Sequence, residues 1–264
     1  MHKLHFKKDG SGEKVVLLLP GLLGSTRYYN ELTKRLITKN FTVYRLDLLG
    51  FGLSDKPHEA KEYSIKNQAE GILLVLKANN IDKIDLLLGY SVSTVLATHL
   101  YADNKSLFKN LLLISPIIYE SKSVAIEKII DSNNIPKWLL RGPMAEKVCK
   151  AMCVVPGLCG AVASITTRDT PLIVRWDTRH HHWDSYSSSL EAAISDTTAL
   201  TVLRTSKRGV SILYGDKDIS TDSDLMKQVA EQNKNITLHT WQGRHHPAIK
   251  QPQMVADLVD SIVR

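Results

Sequence analysis

The chain is short of features that would place it in several classes. It has three cysteines in 264 residues. Cys149, Cys153 and Cys159 are odd in number and close together, which suits neither a disulfide framework nor the paired spacing of a zinc site. Reduced thiols in a cytosol are the simplest reading. No apolar run is long enough for a signal peptide or a membrane span, since Val15 to Leu19 stops after five residues. The formal net charge is +7. Its lysines and arginines are scattered, with no cluster alternating with aromatics, so a nucleic-acid partner is not expected. There is no internal repeat and no low-complexity tract. What is present is a core-forming composition, 43% hydrophobic and 23% charged, which suits a globular, cytoplasmic protein.

Short apolar runs alternate with helical periodicity. Lys14–Leu19, Phe41–Leu46, Ile84–Leu88, Leu111–Ile114, Val210–Tyr214 and Ile236–Trp241 read as strands. Tyr28–Ile37, Ser64–Ala78, Thr94–Tyr101, Asp222–Gln232 and Gln253–Val263 read as helices. Such alternation implies a mostly parallel sheet with helices on both faces. Ligands bind such sheets at the carboxyl ends of the strands.

The alternation stops after Ser115-Pro116 and resumes at Val210. A structureless loop of that length would be unusual in a compact domain. Helical stretches at Ser123–Asp131, Pro143–Met152 and His182–Leu203 instead suggest a mainly helical cap inserted late in the sheet. The expected division is a core of residues 1–115 and 207–264 and a cap of residues 116–206. The cap is expected to set substrate choice and to leave the chemical step to the core.

Gly89-Tyr90-Ser91-Val92-Ser93 joins the Ile84 strand to the next helix. A serine between strand and helix, with small residues two before and two after, is a nucleophile elbow. The turn is too tight for large side chains at those flanking positions. Gly89 meets that demand, and Ser93 stands where a second glycine is usual. The elbow exposes the Ser91 hydroxyl and aims the Val92 N–H at whatever Ser91 attacks. A serine hydroxyl is a weak nucleophile at neutral pH and needs a base and a group to orient it. For this elbow the chain order is serine, acid, histidine. Downstream, Tyr214-Gly215-Asp216-Lys217-Asp218 and Gly243-Arg244-His245-His246-Pro247 each end a strand at the same sheet edge.

With these parts the chain resembles the α/β-hydrolase superfamily over nearly its whole length. Pro20-Gly21-Leu22 resembles that family's oxyanion turn, with proline where histidine often stands. Asp47 to Ser54 resembles its Asp-x-x-Gly-x-Gly-x-Ser loop. Gly215-x-x-Asp218 resembles its acid-bearing turn, which favours Asp218 over Asp216. His245, seven residues before Pro252, resembles its catalytic-histidine segment, which favours His245 over His246. Arg175 to Leu190 resembles the cap of a poorly characterised bacterial group. The resemblance implies a Ser91–His245–Asp218 triad and an oxyanion hole of the Leu22 and Val92 N–H groups, with no cofactor. It also implies cleavage of a small-molecule ester or thioester through an acyl-serine. The same scaffold supports carbon–carbon bond hydrolysis, or a receptor that binds a small ligand with little turnover. A serine at the elbow argues against chemistries whose relatives carry aspartate there.

Asp47 lies in a glycine-rich loop and is expected to organise it. Asp216 is expected to cap its turn. Leu23, Tyr90, Met152, Val155, His182 and His246 are the expected pocket residues, His182 from the resemblance. Met152 and Val155 belong to an apolar cap stretch that could equally form the cap's own core or touch a lipid surface. His180-His181-His182 does not suggest a metal site, because consecutive residues on a helix point in different directions. The sequence specifies neither the physiological substrate nor the oligomeric state.

Overall fold

The computed structural model describes residues 2–131, 142–154, 171–178 and 180–264. Seven strands form one sheet, ordered β1-β3-β2-β4-β5-β6-β7. They are β1 (Phe6–Asp9), β2 (Lys14–Leu19), β3 (Phe41–Leu46), β4 (Ile84–Tyr90), β5 (Phe108–Ile114), β6 (Val210–Gly215) and β7 (Ile236–Trp241). All neighbouring pairs are parallel except β1 with β3.

The apolar strands are buried on both sides, as a helix-covered parallel sheet requires. Side chains alternate between faces. Leu17, Leu19, Leu87 and Leu113 enter one core. Val16, Leu18, Leu86, Leu88, Leu112 and Ile114 enter the other. Each fully buried leucine of this kind contributes about 1.5–3 kcal/mol. Helices α1 (Asn30–Ile37) and α10 (Pro252–Val263) cover the second face. Helices α2 (Ile65–Ala78), α3 (Ser93–Asp103) and α9 (Ser223–Gln232) cover the first. Ser64 caps α2 by accepting from Asn67 N–H, and Asp222 caps α9 by accepting from Leu225 N–H.

Register decides where the site forms. Leu19 pairs with Gly89, Tyr90 with Ile114, Ile114 with Leu213, and Gly215 with Trp241. The residues that follow each strand therefore emerge side by side: Pro20, Ser91, Ser115, Asp216 and Gln242.

Between β5 and β6 the described elements are all helical. They are α4 (Lys122–Ile126) running into a π-helical turn (Glu127–Asp131), α5 (Pro143–Val154), α6 (Leu172–Asp177), α7 (Trp183–Ile194) and α8 (Thr198–Thr205). The stretch His182–Leu203 is thus two helices, not one. Asp196 makes the break. Its Oδ1 accepts from Ala199 N–H at 2.8 Å and satisfies a first-turn donor of α8. Its Oδ2 meets His99 Nε2 of α3 at 2.9 Å. Helix α6 is also additional to the sequence reading, being too short to show a period. So is β1, where Phe6 stacks on Tyr44 at 5.3 Å while Lys7 and Lys8 face solvent. One inward residue leaves no pattern to read.

Candidate active site

At the elbow, Ser91 has φ +54°, in the left-handed region that side chains other than glycine rarely adopt. Strain of this kind persists where the surroundings over-determine it. A β-carbon at Gly89 would stand 2.6 Å from Ala97 Cβ and 2.7 Å from the Ser93 carbonyl oxygen, so glycine is required there. Ser93, the unusual residue of the motif, is fully buried, and its hydroxyl donates to the carbonyl oxygen of Pro20. The hydroxyl therefore pins the elbow helix to the Pro20-Gly21-Leu22 turn.

That turn lies against the serine. A β-carbon at Gly21 would stand 3.1 Å from Ser91 Cβ and 2.9 Å from the Tyr90 ring. Gly24 N–H donates to Gly21 O at 3.0 Å, and Leu23 takes φ +61° to complete the bend. Leu23 packs partly buried against the first core. Val92 opens α3 in helical conformation and donates no hydrogen bond to a described residue, and neither does the Leu22 N–H. Free donors at a helix start and a tight turn are what a developing oxyanion needs.

Two further strand ends bring a histidine and a carboxylate to Ser91. Ser91 Oγ lies 2.9 Å from His245 Nε2. His245 Nδ1 lies 2.9 Å and 3.1 Å from the two Asp218 oxygens. Because the carboxylate can only accept, Nδ1 carries the proton and Nε2 is left to accept from the serine hydroxyl. The Asp218 side chain is 1% exposed. Burial raises its pKa, but the His245 charge and hydrogen bonds from His245 and Thr221 outweigh that and bring it down to about 2. Ser220 N–H also donates to Asp218 at 3.0 Å.

The neighbouring candidates take other places. Asp216 Oδ1 accepts from Gly243 N–H at 2.8 Å and ties the acid turn to the histidine turn. Asp47 accepts from Thr26 N–H at 2.5 Å and Leu53 N–H at 2.9 Å, holding two loops together. His246 Nδ1 and the Tyr90 hydroxyl share a hydrogen bond at 2.6 Å. Tyr28 stacks on Tyr90 with ring centres 4.5 Å apart. Burial, helped by the His245 charge, lowers the His246 pKa to about 3.

The other expected pocket residues are dispersed. His182 stacks on His58, rings 5.0 Å apart. Met152 lies in α5, with its side chain outside the described residues, and Val155 is outside them altogether. A cavity of about 580 Å3 lies between Ala60, Lys61 and Ser64 on one side and α7 on the other, its α7 lining including Trp183, Tyr186, Leu190 and Ile194. None of the triad residues or expected pocket residues lines it. Among the described residues no cluster of histidine, cysteine and carboxylate side chains could hold a metal ion. His181 is turned inward, its Nε2 3.5 Å from Cys149 Sγ. No described helix is long and apolar enough to cross a membrane.

Three contacts were not legible in the sequence. Ser115, at φ +49°, donates its hydroxyl to His245 O at 3.0 Å. Its position just past β5 was the one available signal. Ser93 stands out in the sequence as a departure from the motif, but nothing there names Pro20 as its partner. Asp177, at the end of α6, reaches Ser25 and Arg27 across 152 and 150 residues of chain, with no local signal.

A doubly covered parallel sheet with a strained serine elbow facing histidine and carboxylate turns defines a recognised class of fold. A family model described as alpha/beta hydrolase fold matches residues 14–158, and the chain belongs to that family. "Probable lysophospholipase BODYGUARD 5" of Arabidopsis thaliana is 22% identical over 261 residues, covering 89% of this chain and 58% of that protein. "Serine hydrolase BPHL" of Homo sapiens is 30% identical over 140 residues, covering 52% of this chain and 47% of that protein. The chain thus spans about half the length of these curated relatives. A putative aryl esterase from Burkholderia cenocepacia superposes with a TM-score of 0.77 at 17% identity, covering 99% of this chain and 94% of that one. At that identity the likeness concerns the fold.

Proposed function

We propose that the chain is a serine hydrolase that cleaves a carboxylic ester or thioester through an acyl-Ser91 intermediate. The observation that carries this is the continuous contact from Ser91 Oγ to His245 Nε2 at 2.9 Å and from His245 Nδ1 to Asp218 at 2.9 Å. The relatives named as a lysophospholipase and a serine hydrolase support the same reading.

In the proposed reaction His245 Nε2 takes the Ser91 proton as Oγ bonds to the substrate's carbonyl carbon. Negative charge moves onto the carbonyl oxygen, which the Leu22 and Val92 N–H groups receive. Asp218 stabilises the imidazolium and keeps its tautomer. The intermediate collapses, the bond to the alcohol or thiol breaks, and His245 returns its proton to the leaving group. Water, deprotonated by His245, then attacks the acyl carbon, and Ser91 leaves with that proton restored. No cofactor takes part. Residues 116–206 act as a cap over the strand ends and, with Leu23, Tyr90 and His246, supply the walls that meet the acyl or alcohol part.

A fluorophosphonate probe tests the nucleophile. It should label the wild-type protein at Ser91, and Ser91→Ala should abolish labelling while the fold persists. Ester turnover should fall by several orders of magnitude. Labelling that survives in Ser91→Ala would refute the assignment.

A further inference from the structure

Asp177 is the last residue of α6 and is 3% exposed. A carboxylate so buried needs strong partners. It has two, both in the segment after the oxyanion turn. Its Oδ2 accepts from the Ser25 hydroxyl at 2.5 Å, and its Oδ1 accepts from Arg27 Nη1 at 3.0 Å. Ser25 is itself 4% exposed. Its Oγ accepts from Arg27 N–H at 3.2 Å, and its carbonyl accepts from Tyr28 N–H at 2.9 Å.

The turn between Pro20 and Ser25 is fixed at its start by Ser93, which holds the Pro20 carbonyl. Beyond it, Thr26 is fixed by Asp47 at 2.5 Å and by Arg45, whose Nη1 donates to Thr26 O at 2.9 Å. Inside the turn Leu23 sits in the left-handed region at φ +61°. For leucine that conformation needs outside support. At Ser25 the support comes from the helical insert, through Asp177.

We propose that Asp177 is a positioning residue, holding Ser25 so that the turn aims the Leu22 N–H at the oxygen of a carbonyl attacked by Ser91. This rests on the serine-hydrolase reading above. Seating of α6 against Ser25 and the Thr26–Tyr29 turn and readiness of the oxyanion site are then one event. The insert takes part in the chemical step as well as in substrate choice.

The test uses Asp177→Asn, Ser25→Ala and the double variant of the full chain. Three quantities are read: kcat and KM for p-nitrophenyl acetate, the rate of fluorophosphonate labelling, and amide hydrogen exchange over residues 21–28. Losing an oxyanion donor outright costs about 10²–10³ in kcat. Misaiming one should cost about tenfold to a hundredfold. Each single variant should lose that much kcat and labelling rate, with KM within about twofold on the same reasoning. Exchange over 21–28 should quicken while β4 and β6 stay protected. Because both variants weaken the same Ser25–Asp177 contact, and each also disturbs a bond to Arg27, the double should lose clearly less than the product of the single losses. If Asp177→Asn fails to fold, Ser25→Ala removes the same bond from the other side. Wild-type kcat and wild-type exchange in either variant would overturn the proposal, whatever happens to Tm. Multiplied losses in the double would also overturn it. If the wild-type protein neither turns over esters nor labels at Ser91, the hydrolase reading fails. Exchange over 21–28 still decides whether Asp177 holds the turn.

Discussion

Replacing Ser93 by glycine would restore the family's usual elbow, and the structure says the change should be harmful. Ser93 is fully buried and its hydroxyl donates to the Pro20 carbonyl. Ser93→Ala removes the donor and leaves a buried carbonyl facing a methyl group. An unsatisfied buried polar group costs about 1–3 kcal/mol. Ser93→Gly incurs the same loss and adds up to about 1 kcal/mol of backbone entropy. For a chain of this size each kcal/mol lowers Tm by about 2–4 °C. Thermal unfolding followed by circular dichroism should therefore rank wild type above Ser93→Ala and Ser93→Ala above Ser93→Gly. Urea midpoints should fall in the same order with the slope unchanged. The motif alone predicts the opposite, since glycine is the residue such a turn favours. A Ser93→Gly variant as stable as wild type would mean that the hydroxyl contributes nothing, and the reasoning from the buried contact would be wrong.

Gly89→Ala should destabilise by about 1–3 kcal/mol in urea titrations, because its new methyl would lie 2.6 Å from Ala97 Cβ. Asp218→Asn should lower kcat about 10⁴-fold by favouring the wrong histidine tautomer, whereas Asp216→Asn, which loses a turn contact with Gly243, should keep most activity. The His99–Asp196 contact should stabilise the fold most between about pH 4 and 6.5, the ordinary values of the two groups. Hydrogen bonding to Asp196 raises His99 in the fold, so that part is present below the histidine's ordinary pKa and is lost as pH rises through the raised value. Asp196 is lowered: burial opposes ionisation, but the bonds from His99, Ala199 and Thr198 win. Its part is present above the ordinary carboxyl value and is lost as pH falls through the lowered one. The Tm gap between wild type and His99→Gln, measured across pH, should peak in that window and vanish on both sides. Met152→Ala, Val155→Ala and His182→Ala should shift relative kcat/KM along an ester chain-length series by about 1–3 kcal/mol per methylene where they touch substrate, with fluorophosphonate labelling retained. An unchanged profile in all three would place selectivity in the loops around Leu22 and His245.

Strands β2, β3 and β7 were legible to the residue because a sheet buried on both faces needs unbroken apolar runs such as Lys14–Leu19. The β1 edge was not, since Lys7 and Lys8 face water and the pairing with β3 is a tertiary event. The break between α7 and α8 was hidden for a related reason. Apolar residues such as Leu190, Ile194, Ala199 and Leu200 lie on both sides of it, and no proline or glycine between them marks a stop. What ends α7 is Asp196, and its partner His99 lies 97 residues away. At the candidate site, local spacing placed serine, carboxylate and histidine turns on one edge, because strand order and chain order coincide there. Contacts between turns, such as Ser93 to Pro20 and Asp177 to Ser25, depend on how distant segments meet, and no window of sequence contains both partners.

The Tyr90–His246 contact bears on what happens while His245 is charged. The two imidazole rings stand 5.4 Å apart, nearly perpendicular. Were His246 protonated as well, two unit charges at that separation would repel by about 3 kcal/mol at an effective dielectric constant near 20. That is about two powers of ten in the rate of any step that places a proton on His245. Because burial, with the His245 charge beside it, holds the group down to about 3, His246 stays uncharged through the physiological range. In the proposed reaction the His245 imidazolium would then form beside a dipole instead of a cation. The histidine doublet, which looks redundant along the chain, divides into one ring that the proposed reaction would protonate and one that burial keeps neutral.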